Sequence, residues 1–212
     1  MSADIPLFLF AKAPIPGKVK TRLQSHCSAE QAAKIACILL EESIRTVTKY
    51  WPGKLYLSVW LDSEHPFFER MQQQYSIELV LQCDGDLGAK MQNALAGLGY
   101  PAVVMGCDAP HTSEQTLQAA YQGLLDGQSV IGPSEDGGYY LLGLNEPADF
   151  LFKGVAWGQE SVLAQTLASA KQHQLELLQL DALNDVDEWH DLVKVADLLP
   201  ALMEYLVGER LV

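Results

Sequence analysis

Positive charge is scarce in this 212-residue chain: Lys and Arg number 14 against 27 Asp and Glu, a formal net charge of −13. Such a chain repels polyanions, which excludes general binding to nucleic acid or an anionic membrane unless cations gather locally. Cysteine is sparse as well. Cys27, Cys37, Cys83 and Cys107 are scattered with no Cys-x-x-Cys pair, so reduced thiols are the expectation. No apolar run approaches the roughly 18 residues of a membrane span. The N-terminus, Met-Ser-Ala-Asp-Ile-Pro, has no basic segment leading into a long apolar one, so no membrane span and a cytoplasmic location are expected. Neither Gly-x-x-x-x-Gly-Lys-Ser/Thr nor Gly-x-Gly-x-x-Gly occurs, which excludes a Walker loop and the common dinucleotide fingerprint. Internal repeats and low-complexity linkers are lacking too.

What is present is the composition of a globular protein, 49% hydrophobic and 19% charged with a mean hydropathy of +0.03, long enough for one large domain. The charge is polarised along the chain. Between Ile5 and Ala29 there is no acid, yet Lys12, Lys18, Lys20 and Arg22 all fall there. From Gln172 to Val193 there is no Lys or Arg, while Glu176, Asp181, Asp185, Asp187, Glu188 and Asp191 accumulate. Phosphates suit the first segment and divalent cations the second.

Short apolar runs alternate with longer helical patterns, as expected when parallel strands are covered on both faces by crossover helices. Strands are predicted at 5–11, 55–61, 77–82, 102–106, 130–133, 139–144 and 175–180. Helices are predicted after Ser28 to about residue 50, with Gln31 in the capping-box position, and near 64–75, 87–98, 113–125, 160–173 and from about 187 onward. The expectation is an α/β fold comprising one domain over residues 1–212, its main sheet mostly parallel and flanked by helices. Strand ends then deliver their loops to a single ligand-binding edge.

Five loops carry candidate chemistry. Lys12-Ala13-Pro14-Ile15-Pro16-Gly17-Lys18-Val19-Lys20-Thr21-Arg22 follows the first strand; its prolines stiffen it, Gly17 permits close backbone approach, and its cations suit oxyanions. Asp84-Gly85-Asp86-Leu87-Gly88 opens a helix whose amides and glycines suit a nucleotide, or is simply a helix start capped by Asp86. Asp108 ends a central strand in Gly106-Cys107-Asp108-Ala109-Pro110, where a carboxylate suits a hard cation bridging phosphates; the alternative is a turn before Pro110. His111 beside it reads as a surface residue. Gly132-Pro133-Ser134-Glu135-Asp136-Gly137-Gly138-Tyr139-Tyr140 suits a hairpin, or an Asp136 that holds an acceptor hydroxyl or the metal shell. In Asn184-Asp185-Val186-Asp187-Glu188, Asp187 either caps the last helix or closes a metal site opposite Asp108.

Together, Lys12 to Leu23, Gly106 to Pro110 and Gly132 to Tyr140 resemble the bacterial glycosyltransferase family related to nucleotide-diphospho-sugar transferases, some members of which genome context links to arsenosugar synthesis. The resemblance spans most of the chain, and Glu135-Asp136-Gly137-Gly138-Tyr139-Tyr140 is its most specific part. It implies the type-A glycosyltransferase fold, a nucleotide held between the first two loops, and a divalent metal on Asp108. Guanylyltransferases that activate phospholactate or phosphoenolpyruvate, and molybdopterin nucleotidyltransferases, are more distant kin. The chain departs from the family at Ala89 and Lys90, where Glu and Arg are usual, in the Asp187 segment, and at Gln159, which follows Trp157-Gly158 where Thr or Ser often stands.

The expected function is a transferase dependent on Mg2+ or Mn2+ that moves a glycosyl group from a nucleotide sugar to a small-molecule acceptor. Two alternatives stand beside it: a nucleotidyltransferase releasing pyrophosphate from a nucleoside triphosphate, and a non-catalytic nucleotide-binding module. In the leading reading Asp108 and Asp187 hold the metal. Lys12, Ala13, Pro14, Gly17, Lys18, Lys20 and Arg22 with Asp84, Gly85 and Gly88 hold the nucleotide. Asp136 orients or deprotonates an acceptor bound by Gly137, Gly138 and Trp157. The sequence leaves the oligomeric state open.

Overall fold

The computed structural model describes residues 4–212; Met1 to Ala3, which carry part of the N-terminal reading, lie outside them. Seven strands form one sheet: β1 (Leu7–Lys12), β2 (Leu55–Trp60), β3 (Glu78–Leu81), β4 (Ala102–Gly106), β5 (Ser129–Pro133), β6 (Tyr139–Leu144) and β7 (Leu177–Gln179). Their order across the sheet is β3-β2-β1-β4-β6-β5-β7. All pairings are parallel except those of β6, which runs antiparallel to both β4 and β5. The mostly parallel sheet expected from the apolar runs is the one observed.

Seven α-helices cover it: α1 (Ala29–Tyr50), α2 (Pro66–Tyr75), α3 (Leu87–Gly97), α4 (Glu114–Leu125), α5 (Val162–Gln172), α6 (Trp189–Ala196) and α7 (Pro200–Gly208). Alternate residues of a strand point to opposite faces, and β1 is apolar at every position but its last, so it feeds two cores. Leu7, Leu9 and Ala11 pack with Ile44 and Val47 of α1, Phe68 of α2 and Leu117 of α4. Phe8 faces the other way, with Met91 and Leu95 of α3 and Ala170 of α5. A third cluster seats α6 and α7 on the outer side of α1 through Ile35, Leu39, Leu192, Val195 and Leu202.

Local signals explain the boundaries. Ser28 Oγ accepts from the Gln31 amide at 3.2 Å and Gln31 Oε1 accepts from the Ser28 amide at 2.9 Å, completing the expected capping box of α1. Helix α2 starts two residues later than expected because Pro66 occupies its first turn and His65 Nδ1 accepts from the Phe67 amide, the position where a missing N–H costs nothing. The helical region expected from about 187 onward consists of two helices, divided before Pro200, which opens α7 in the same way. The last strand is shorter than expected, 177–179 rather than 175–180. A 3-10 turn at Thr21–Ser25, unexpected from the sequence, buries Leu23.

The order of strands reverses between β1 and β4, each of which heads a series running outward. Loops leaving their carboxyl ends diverge there and open a crevice, the usual ligand position in open α/β sheets. Lys12 to Arg22 leaves β1 and Cys107 to Pro110 leaves β4 at this point.

Candidate active site

Four segments meet at the crevice. The β4 loop is fixed from behind, where Ser43 Oγ of α1 donates to the Cys107 carbonyl at 3.2 Å. The β5–β6 hairpin turn, 134–138, arrives at the same edge because β6 is antiparallel. Alongside it runs the segment 183–187: the Leu183 amide donates to the Pro133 carbonyl at 3.1 Å, the Glu135 amide to the Leu183 carbonyl at 3.0 Å, and the Val186 amide to the Asp108 carbonyl at 2.8 Å. These three backbone bonds set Asp185 and Asp187 beside Asp108. The cap of α6 is Glu188, whose amide donates to the Asp191 carboxylate at 3.0 Å, so Asp187 is not used as a helix cap.

The centre of the crevice is an ion-paired knot. Lys20 Nζ donates to Asp108 Oδ1 at 2.5 Å, to the Val186 carbonyl at 2.7 Å and to Asp187 Oδ1 at 3.1 Å. Its side chain is only 10% exposed, whereas those of Asp108 and Asp187 are 47% and 45% exposed. Arg22 reaches Asp187 from the open side at 3.6 Å. Burial works to lower the Lys20 pKa, but the charges of Asp108 and Asp187 outweigh it and hold the ammonium above its ordinary value. Lys20, expected to clamp phosphate, has its ammonium between the two carboxylates expected to hold a metal.

Asp185 was missed by sequence reasoning. Its Oδ1 is buried without a hydrogen-bond partner. Burial, then the charges of Asp108, Asp136 and Asp187, push its pKa from 3.8 up to about 7. The only signal available was its position in the acid run between two apolar residues, Leu183 and Val186. Asp136 lies in the hairpin turn, where Oδ1 accepts from Ser134 Oγ at 2.5 Å and from the Gly138 amide at 2.9 Å, while Oδ2 accepts no hydrogen bond from the described residues. Among the described residues, no group of three His, Cys, Asp or Glu side chains forms a ready-made metal cage.

Two clefts flank the knot and share Phe10, Arg22, Leu87, Cys107, Asp108 and Asp187 as their common wall. The smaller, about 470 Å³, is lined by Lys12, Lys18 and Lys20 together with Trp60 and Gln82. Over the Trp60 ring lies the Lys90 ammonium, 3.2 Å from its centroid. The larger cleft, about 1130 Å³, is lined by the hairpin turn including Asp136, Gly137 and Gly138, by Trp157 to Val162, and by Asp185.

Several expected nucleotide contacts are not brought to either cleft. Asp84 and Gly85 are exposed and line neither, and Asp86 caps α3 through the Ala89 amide at 2.8 Å. Gly88 is buried beneath Trp157, whose ring a Cβ would meet at 2.6 Å, so its smallness serves packing. Ala13 and Pro14 are buried in the loop base. A Cβ on Gly17 would meet nothing within 4 Å, and the residue is suited by its φ of +74° rather than by close approach. Gly137 takes φ +87°, and a Cβ there would lie 2.0 Å from the Glu160 carbonyl oxygen. Its role is to let the hairpin touch the 157–161 loop. His111, expected at the surface, is half-buried with Nδ1 unpartnered, and burial lowers its pKa.

Residues 43–159 match the model of a family described as uncharacterized proteins conserved in bacteria (DUF2064). The chain belongs to this family. No curated protein matches the chain. Among solved structures, the DUF2064 chain is similar to a protein of Desulfovibrio desulfuricans G20 provisionally described as a nucleotide-diphospho-sugar transferase, at 28% identity and a TM-score of 0.87, covering 98% of this chain and 96% of that one. The manganese complex of Rv0371c from Mycobacterium tuberculosis H37Rv shares the fold at 14% identity and a TM-score of 0.57, over 91% and 98% of the two chains. So does 4-diphosphocytidyl-2C-methyl-D-erythritol synthase from Anaerococcus prevotii DSM 20548, at 11% identity and a TM-score of 0.58, over 93% and 96%. The fold expected from the resemblance is thus the fold of this DUF2064 protein. No helix among its described residues is long and apolar enough to cross a membrane.

Proposed function

We propose that this DUF2064 protein is an enzyme, a cytoplasmic transferase that takes a group from a nucleotide-activated donor in the smaller cleft and passes it to an acceptor in the larger one. One observation carries the reading: the two clefts meet on Asp108, Asp187 and Arg22 at the strand-order reversal, so a bond between donor and acceptor would lie over those charges. Lys12, Lys18 and Arg22 offer charge-assisted bonds to a diphosphate, and the rings of Trp60 and Phe10 offer apolar surface to a base. The similarity at 28% identity to a protein described as a nucleotide-diphospho-sugar transferase supports a sugar nucleotide as the donor.

The donor set fits a hard divalent cation. Asp108 Oδ1 and Asp187 Oδ1 converge on one nitrogen, and the buried Asp185 Oδ1 lacks any partner. One or two carboxylates plus substrate phosphates are a sufficient ligand set for Mg2+, and the Rv0371c relative was solved with manganese. Asp108 and Asp187 would hold Mg2+ or Mn2+, which supplies charge neutralisation at the diphosphate. Asp136 lines the acceptor side, and the hairpin fixes its Oδ1 while Oδ2 makes no such bond, so it is suited to orient an acceptor hydroxyl and accept its proton.

Glycosyl transfer is favoured because the first loop has one glycine, Gly17, and is stiffened by two prolines, which suits two phosphates better than three. Nucleotidyl transfer is the second reading, supported by the fold shared with the diphosphocytidyl-methylerythritol synthase. Incubation with a panel of nucleotide sugars and nucleoside triphosphates, with Mn2+ and candidate acceptors, separates them: nucleoside diphosphate or monophosphate as product supports the first and pyrophosphate the second. Asp108→Asn should abolish turnover with the fold intact by circular dichroism. If no nucleotide gives a metal-dependent thermal shift, the transferase reading fails and a binding module or another ligand must be considered.

A further inference from the structure

Lys20 is the one cation of the first loop that does not face solvent. Its backbone is left-handed, φ 43° and ψ 41°, a conformation that non-glycine residues adopt at a cost and that persists where surrounding structure fixes it. From this backbone the side chain reaches into the carboxylates. There its ammonium is met by three oxygens, from Asp108, Val186 and Asp187. Two carboxylates and one backbone carbonyl are also what a hard divalent cation takes from a protein.

We infer that Lys20 is a resident counter-ion that competes with the divalent cation for Asp108 and Asp187. This inference rests on the metal-site reading above. An ammonium hydrogen-bonded to those two oxygens and a divalent cation bound by them cannot share the same place, and their charges repel. Lys20 therefore leaves the carboxylates before they take a metal. Its side chain already lines the smaller cleft, beside Lys12, Lys18 and Arg22, so the released ammonium joins the other cations where the diphosphate would lie. Metal loading and diphosphate binding are then linked through one side chain, and by reciprocity each favours the other. In the metal-free protein the same ammonium keeps two adjacent carboxylates from repelling one another.

The test is Mn2+ binding followed by electron paramagnetic resonance without nucleotide, on the wild-type chain, Lys20→Met and Lys171→Met. Lys20→Met should bind Mn2+ at least about tenfold more tightly than wild type, a difference of about 1.4 kcal/mol, while Lys171→Met, altered at an exposed position that lines neither cleft, stays at the wild-type value. An unchanged or weaker affinity in Lys20→Met overturns the inference and leaves the metal site standing. Absence of Mn2+ binding to wild type and variant alike, both without nucleotide and with saturating nucleoside diphosphate, overturns the metal site together with the inference. Should Lys20→Met fold only when Mn2+ is added, that result also supports competition. A measurement on the unaltered protein guards against a variant that does not fold at all. Acylation of Lys20 by acetic anhydride, read by peptide mass spectrometry, should rise several-fold when Mn2+ is saturating, and equal labelling with and without Mn2+ overturns the inference.

Discussion

Replacing Gly137 by Ala tests whether the hairpin and the 157–161 loop form one rigid wall of the larger cleft. Two costs arise. An L-residue held at φ +87° loses about 1–2 kcal/mol relative to glycine. The new methyl group would also lie 2.0 Å from the Glu160 carbonyl oxygen, with Glu160 backbone atoms at 2.7 and 2.9 Å behind it. No side-chain rotation relieves a backbone contact, so the two segments must part. Parting weakens the bond from the Leu163 amide to the Gly137 carbonyl, 2.8 Å long, and overpacking of this kind costs about 1–3 kcal/mol. Together the two costs come to about 2–5 kcal/mol. Gly154 supplies the control, since it has φ +71° but nothing within 4 Å of where a Cβ would stand. Gly154→Ala should therefore cost only the dihedral part, about 1–2 kcal/mol. Urea unfolding of both variants, followed by circular dichroism, measures the gap. Equal costs would refute the contact, and with it the claim that Gly137 joins the two segments.

Asp185 makes stability pH-dependent. The folded protein keeps this proton up to about pH 7 while the unfolded chain loses it near 3.8, so the folded state binds more protons between those values and its stability falls as pH rises through the window. The full penalty is at most about 4 kcal/mol, reduced by the partial exposure of the group. Asp185→Asn removes it, and in chelator-treated buffer the variant's advantage over wild type should be about 2 kcal/mol larger near pH 8.5 than near pH 5.5; the same advantage at both refutes the shift. Gly88→Ala should destabilise by about 1–3 kcal/mol through the clash with Trp157. In a Trp157→Ala background the same change should cost about 1 kcal/mol or less, so additive urea-unfolding costs would show that the ring does not cover Gly88. Trp51→Phe should cost about 1–3 kcal/mol by unpairing the buried Ile5 carbonyl, which the indole N–H now meets at 2.8 Å; a thermal melt unchanged from wild type would contradict it.

The fold was legible where one physical signal acted alone. Runs such as Leu7–Ala11 and Ala102–Met105 have no polar residue to expose, which only a strand buried on both faces tolerates, and the Ser28 and Gln31 box marks a helix start without reference to anything distant. Boundaries blurred where proline acted at close range, as at Pro66 and Pro200. For the site, the sequence indicated which loops carry charge but not which charges neutralise each other. Lys20 looks like Lys18 in the sequence and differs because its ammonium meets Asp108, 88 residues away, which no local pattern encodes. Gly88 looked like a ligand-facing glycine because its neighbour Trp157 is distant along the chain. Asp185 was hidden for the same reason, since its environment comes from Asp108 and Asp136 on separate segments.

The reversed direction of β6 has a consequence for how such a protein diversifies. Because β5 ends and β6 begins at the same edge of the sheet, the wall that carries Asp136 is a single short turn between two strands and requires no crossover helix. The smaller cleft is assembled on the loop after β1 and the end of β2, strands whose register depends on long-range parallel pairing. Side-chain changes in the turn at 134–138 that keep its backbone bonds to Leu183 and Leu163 in place can therefore accumulate without moving the smaller cleft. A lineage built on this scaffold can reshape its larger cleft by editing a few contiguous codons while the smaller one is inherited intact.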